Sequence, residues 1–346
     1  MNITSSRTLT GVCESCINRM QGVAELLLLS CSVRPVMSDF IKHLQSDNIQ
    51  TVLNSKLKNI LVMSETLISH VHMVSSKWND ICESLQDLSL TIVHLIELVS
   101  HSTYLIVTNF PKCSPACVGL VNKYSVCYSG LEIKLSCMRL KRTRSDELSP
   151  QIIIDLCSNI SKHIAVITDI CKTAGQNVHE DSLEDQFKLS VKSVTCAAGC
   201  LIASIKSYRS SQNPTHHSRV MLFCEPVLAS SQALVSFATE RDFVDSEGVL
   251  STHAKDIQKR ILGACMNIVS SCIQLCKTVR DLAYDLMTSH HKERLQFCFQ
   301  SIGHNSRKLV KLLEEYDVDK LLLDFREKNA EGLNLSNLSV PNLSVP

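Results

Sequence analysis

Cys13-x-x-Cys16 is the short motif in this sequence whose residue types and spacing suit a metal ion or a redox couple. A structural zinc site needs four ligands, so a second matching pair must exist. The other close cysteine pairs, Cys113/Cys117, Cys196/Cys200 and Cys272/Cys276, are four residues apart. That spacing stacks side chains on one face of a helix. A redox CxxC sits at a helix start after a strand, and no strand pattern precedes Cys13. Packed thiols are the simpler account, because free cysteine behaves as a small buried hydrophobe. His216-His217 and His290-His291 fall at expected helix starts, with no third ligand at helical spacing. There is no Gly-rich phosphate loop, no GxSxG elbow and no HExxH pair. These residues point away from an enzyme and call for no metal or cofactor.

Charge offers a different chemistry. Basic residues gather at Arg139, Lys141, Arg142 and Arg144, at Lys188 and Lys192 with Lys206 and Arg209 further along, and at Lys255, Lys259 and Arg260. A charged group is ordinarily a solvated helix face. The functional counterpart is a filament with an acidic surface, attracted over long range. The 35 basic and 34 acidic residues nearly cancel, which argues against nucleic acid as partner. A third feature is an excess of apolar residues between Val220 and Phe237, including Leu222, Phe223, Val227, Leu228, Leu234 and Val235. Leu234, Val235 and Phe237 cannot share one face at about 100° per residue. Either the core stripe is wide, or part of this helix meets a second subunit.

Helices must position all of these. Gly (10) and Pro (8) are scarce, so turns are few and elements long. Apolar stripes recur at helical period: Cys13 to Cys31, Ile49 to Val71, Ile81 to Val99, Leu120 to Met138, Ile153 to Cys171, Phe187 to Ile205, a helix over 216–241 with Pro226 inside it, Ile257 to Leu282, and Leu295 to Tyr316. Ser149, Pro150 and Gly175 punctuate the fifth, and Ser182 to Asp185 offers a capping-box start to the sixth. The expectation is an all-α protein of nine helices, several about 40 Å long. Breaks at 109–116 and 241–252 divide them three, four and two. A four-helix unit over 113–247 would then sit inside a five-helix unit made of 1–112 and 248–317. The remainder, 318–346, ends in a repeated Asn-Leu-Ser-Val-Pro and reads as a disordered tail. Seventeen cysteines, most of them inside helical stretches, with a polar start lacking a signal peptide, suit a reduced, cytoplasmic setting. The longest apolar stretch, Leu88 to Val107, carries His94, Glu97 and His101 and is too polar for membrane insertion.

Several segments resemble the talin-rod-like helical-bundle family. They are Val12-Cys13-Glu14-Ser15-Cys16, Met20 to Ser30, Arg34-Pro35-Val36, Asp185 to Lys192, Ala233 to Glu240, Ile261-Leu262-Gly263-Ala264 and Val279 to Ala283, in order over roughly residues 8–316. The resemblance implies a four-helix bundle inserted into a five-helix bundle. It further implies binding to F-actin and a homodimer formed through the four-helix unit, which together would crosslink or bundle filaments of the actin cytoskeleton, as in filopodia. Ala233 to Glu240 resembles the family's dimer-forming helix, so that role falls to Phe237 and Leu234. Val227 and Phe223 join them from the apolar excess. Filament contact at Lys188, Lys192, Lys206 and Arg209 rests on charge alone. An adaptor whose four-helix unit binds amphipathic helices of signalling or adhesion partners is the alternative. The 141–148 turn and the tail depart from the family pattern.

Overall fold

A computed structural model describes residues 3–44, 48–72, 78–142, 150–211, 213–282 and 289–336. Arg144, the cap expected at Ser149 and the repeat at 337–346 lie outside the described residues.

The described residues form α1 (Ile3–Ala24), α2 (Asp39–His43), α3 (Ile49–His72), α4 (Trp78–Thr108), α5 (Lys123–Arg142), α6 (Pro150–Asn177), α7 (Asp181–Ser210), α8 (Pro214–Ala238), α9 (Thr252–Leu282), α10 (Ser289–Glu314) and α11 (Val318–Ser336). A short π-helical turn, Glu25–Leu29, prolongs α1. Short polar side chains start many of them by accepting backbone N–H groups that the helix cannot pair itself. Asn48 caps α3 through Thr51 N at 2.9 Å, Asn122 caps α5 through Ser125 N at 3.1 Å, and Asn213 caps α8 through His216 N at 2.8 Å. Pro214 follows Asn213 at the first helical position, where its missing N–H does no harm. The helix then runs through Pro226 without ending.

The nine-helix expectation undercounts, since the described residues hold eleven α-helices. One addition, α2, has five residues, too few to display a period. The other is α11, where a structureless tail was expected. Asp317 Oδ1 accepts from Lys320 N at 3.2 Å, and Val318 and Leu322 are buried with Leu321 and Phe325 packed beside them. Two of the expected boundary signals also act differently. Gly175 does not end α6, which continues to Asn177. It is buried because a Cβ there would come 3.0 Å from Phe187 Cβ. At the start of α7, Glu180 stands in the capping position and makes no side-chain cap.

Buried apolar side chains fall into two clusters. One draws on α1 to α4, α9, α10 and α11. The other spans Val121 to Val244, and around it α5 packs on α6, α6 on α7, α7 on α8 and α8 on α5. The two meet where α1 lies along α5. Two irregular segments cross between them side by side. Ser114 and Val249 exchange N–H···O bonds of 2.9 and 3.1 Å, and Val121 N donates to Phe243 O at 2.8 Å. At Gly119 the crossing is tightest, since a Cβ there would lie 2.4 Å from the Val244 carbonyl carbon. Backbone cannot yield as a flexible side chain can, so Gly119→Ala should destabilise the protein by about 1–3 kcal/mol in urea unfolding.

Candidate interaction surface

The faces of α7 and α8 are set by what they bury. Phe187, Val191, Val194, Leu201 and Ile205 of α7 point inward, as do Val220, Cys224, Val227 and Leu234 of α8. At 100° per residue the opposite faces follow. On α7 this is Leu189, Lys192, Cys196, Cys200, Ala203 and Lys206, and on α8 it is Leu222, Ala229, Ala233 and Ser236, all exposed. Leu189 is 67% and Leu222 65% accessible. Among the described residues, four helices are long and apolar enough to cross a membrane by length and composition. In α4 that apolar window is 83% buried inside the protein, but in α7 and α8 only 33% and 28%. The apolar character of α4 is therefore consumed by a core, whereas α7 and α8 each keep one large apolar side chain, Leu189 and Leu222, exposed outside theirs.

The residues expected at a dimer contact divide. Val227 and Leu234 have no accessible surface, because the phase of α8 aims them into the core beside α5 and α7. They are unavailable to a second folded copy. Phe237 and Phe223 are half-buried at the edge of the same core. The Phe237 ring lies 4.6 Å from that of Phe187 and 5.3 Å from that of Phe243. Leu222 belongs to the apolar excess expected on this helix without being placed at the dimer contact, and Leu189 was missed. Their signal was their offset from the inward stripe on the same helix.

Among the basic candidates, Lys188, Lys192, Lys206 and Arg209 are all exposed on α7. Lys188 is paired with Glu184 at 2.7 Å and Asp185 at 3.5 Å, so its charge is locally offset. Lys206 stands 14 residues beyond Lys192, roughly 20 Å along the axis, so the four make two sites rather than one. A denser group lies on the other core. Asn267 Nδ2 donates to Asn305 Oδ1 at 3.3 Å and Ser271 meets Ser301 at 2.8 Å, which fixes α9 and α10 antiparallel. That register brings exposed Lys259 and Arg260 level with the turn of α10 carrying Lys308 and Lys311.

Chemistry at the Cys13-x-x-Cys16 pair is suppressed. All 17 are free thiols. Cys13 and Cys16 are buried in α1, and burial pushes both thiols up, away from the reactive thiolate. Among the described residues no three His, Cys, Asp or Glu side chains are grouped to hold a metal ion.

Polar chemistry concentrates instead where the two cores meet. Arg19 of α1 donates from Nε to Glu132 Oε1 of α5 at 2.5 Å and from Nη2 to Oε2 at 3.0 Å, with Nη1 on Ser89 at 3.2 Å. Asn159 adds a bond to Glu132 Oε2 at 3.2 Å. Burial alone would raise the Glu132 carboxyl, but the hydrogen bonds and charge of Arg19 outweigh it and hold it below the usual range. Nearby, Glu97 of α4 is 3% accessible and accepts from the Tyr124 hydroxyl at 2.7 Å. Its Oε2 has no partner, and burial pushes the carboxyl up to about 7.

Two packed cores built from long amphipathic helices define the class, an all-helical bundle protein that is similar to parts of the talin rod. Residues 127–241 match the family model of the talin IBS2B domain. The chain is 23% identical to talin of Oscarella pearsei over 290 residues, 81% of this chain and 11% of the relative. It is 22% identical to human Talin-2 over 195 residues, 56% of this chain and 8% of the relative. It thus spans about a tenth of the length of these relatives.

Proposed function

We propose that the protein is a non-enzymatic actin-filament-binding protein that pairs through α7 and α8, so that one dimer holds two filament-binding units and crosslinks or bundles F-actin. In this reading 113–247 is a four-helix unit set into a five-helix unit formed by 1–112 and 248–317. The observation that carries it is the exposure of Leu189 and Leu222 among small residues on the outward faces of α7 and α8, uncovered in a single copy. A two-fold dimer would lay each α7–α8 pair on its counterpart, an isologous contact that closes and stops at two. Filament attraction is assigned to the basic positions on α7, on the grounds of charge, and to Lys259, Arg260, Lys308 and Lys311 on the other core. The resemblance to the talin-rod-like family supports actin as the filament and the cytoskeleton, with filopodia, as the setting.

Phe237 is a poor test, because its ring also packs on Phe187 and Phe243 within one copy. Leu189→Asp with Leu222→Asp changes exposed side chains only. Light scattering after size exclusion should show a dimer for the parent chain and a monomer for the double variant. The double variant should still cosediment with filaments at high speed while losing low-speed bundles. A dimer of unchanged mass in the double variant, or a monomeric parent chain, overturns the pairing. A monomeric parent that binds vesicles of neutral lipid would instead give the apolar face to a bilayer.

A further inference from the structure

A partly open cavity lies where the irregular segments pass between the two cores. Its walls come from the turn after α1, from α4, from the start of α5 and from the segment after α8, and include Arg34, Ser100, Tyr104, Lys123 and Asp245. It measures about 70 Å³. That is room for a few water molecules or one ion of phosphate size, and far too little for a nucleotide.

Its polar groups are unbalanced. The Arg34 side chain is 15% accessible, and its Nε and Nη1 are buried without a hydrogen-bond partner. Its Nη2 approaches Glu247 only at 3.7 Å, and that carboxylate is itself 59% accessible. Ser100 is 9% accessible, with its Oγ buried and unpartnered. The Tyr104 hydroxyl accepts from Ala116 N at 3.3 Å, which leaves its own proton for another acceptor. Lys123 stands at the first position of α5, where the helix dipole adds positive potential. On the acceptor side, Asp245 Oδ1 is already occupied by Gly119 N at 2.6 Å. Arg34 Nε and Nη1 and Ser100 Oγ are thus donors without an acceptor, and a buried guanidinium is costly to leave so. Water supplies a donor for every acceptor and brings no charge. A guest made of acceptors and carrying negative charge meets both needs.

We propose that this cavity binds a small oxyanion, a phosphate or a carboxylate, held by Arg34, Ser100 and Tyr104. Because both crossing segments line it, the bound ion would join them at the seam.

The test uses the full chain and two probes, inorganic phosphate and acetate, each against sodium chloride at matched ionic strength. Thermal unfolding should show a saturable rise in Tm of about 2–4 °C near tenfold the dissociation constant for at least one probe. The stronger probe identifies the source as phosphate or carboxylate. Arg34→Met should abolish the rise. Ser100→Ala, which removes one oxygen atom and keeps the packing, should weaken binding by about threefold or more. Should Arg34→Met fail to fold, Ser100→Ala decides alone, read also by 31P line broadening of phosphate. No rise above the chloride control for either probe, or a rise unchanged in both variants, overturns the site.

Discussion

Glu132→Ala is expected to destabilise the protein by about 3–5 kcal/mol, among the largest effects of any single surface-neutral substitution here. The side chain is nearly closed to water and accepts from both ends of the Arg19 guanidinium, with Asn159 on its second oxygen. Removing it leaves a buried cation on α1 facing no anion, and water cannot replace the carboxylate in a packed seam. Most of the loss is that orphaned charge rather than the worth of the pair. Arg19→Met with Glu132→Met should therefore recover much of the stability, even though it removes every bond of the bridge. Urea unfolding of the three chains, followed by circular dichroism, checks both statements. Equal losses in the single and double variants would mean the bridge itself supplies the energy. Since Glu132 is held below its usual range, its contribution is full above the unfolded value near 4.5 and is lost as pH falls below it.

Glu97 works with the opposite sign. Its carboxyl is held up to about 7, against an ordinary value of 4.5. The folded protein thus keeps a proton that the unfolded chain releases between those values. The protonated state is fully stabilising below 4.5, and stability drains away as pH rises to 7. The shift corresponds to about 3 kcal/mol at pH 8. Glu97→Gln keeps the shape and an acceptor for Tyr124 while removing the titration. It should be more stable than the parent by about that amount at pH 8 and nearly equal at pH 5. His94 and His101 are both held down to about 4, mainly by burial, so each destabilises the fold as pH falls from 6.5 toward 4. That acid-side loss is common to both chains and cancels in the difference. A gap between them that is the same at pH 5 and pH 8 would show that Glu97 does not titrate in this range.

How much of this was legible before the structure depends on distance along the chain. The long helices announced themselves because each buried stripe repeats over many turns, as in Ile81, Leu85, Leu88, Ile92, Leu95 and Val99, all of which are buried. A five-residue helix such as α2 offers no repeat to read. Residue type alone did not set the phase of α8: Leu222 and Leu234 are the same side chain, and only packing on α5 and α7 sends one outward and the other inward. The Arg19–Glu132 bridge joins positions 113 residues apart, and nothing local marks either residue. Arg34 was legible as part of a family-like segment and not as a buried cation with spare donors.

The paired crossing segments carry a mechanical consequence. α1 and α11 both belong to the core that also contains α9 and α10. The α5–α8 ring joins that core through two strands of chain that run side by side and are bonded to each other. Tension applied between α1 and α11 therefore passes through the outer core and bypasses the ring, which hangs in parallel with the load path rather than in series. The ring would feel such a pull first through the Arg19–Glu132 bridge between α1 and α5, and would be stretched along its own chain only after α4 and α9 had parted.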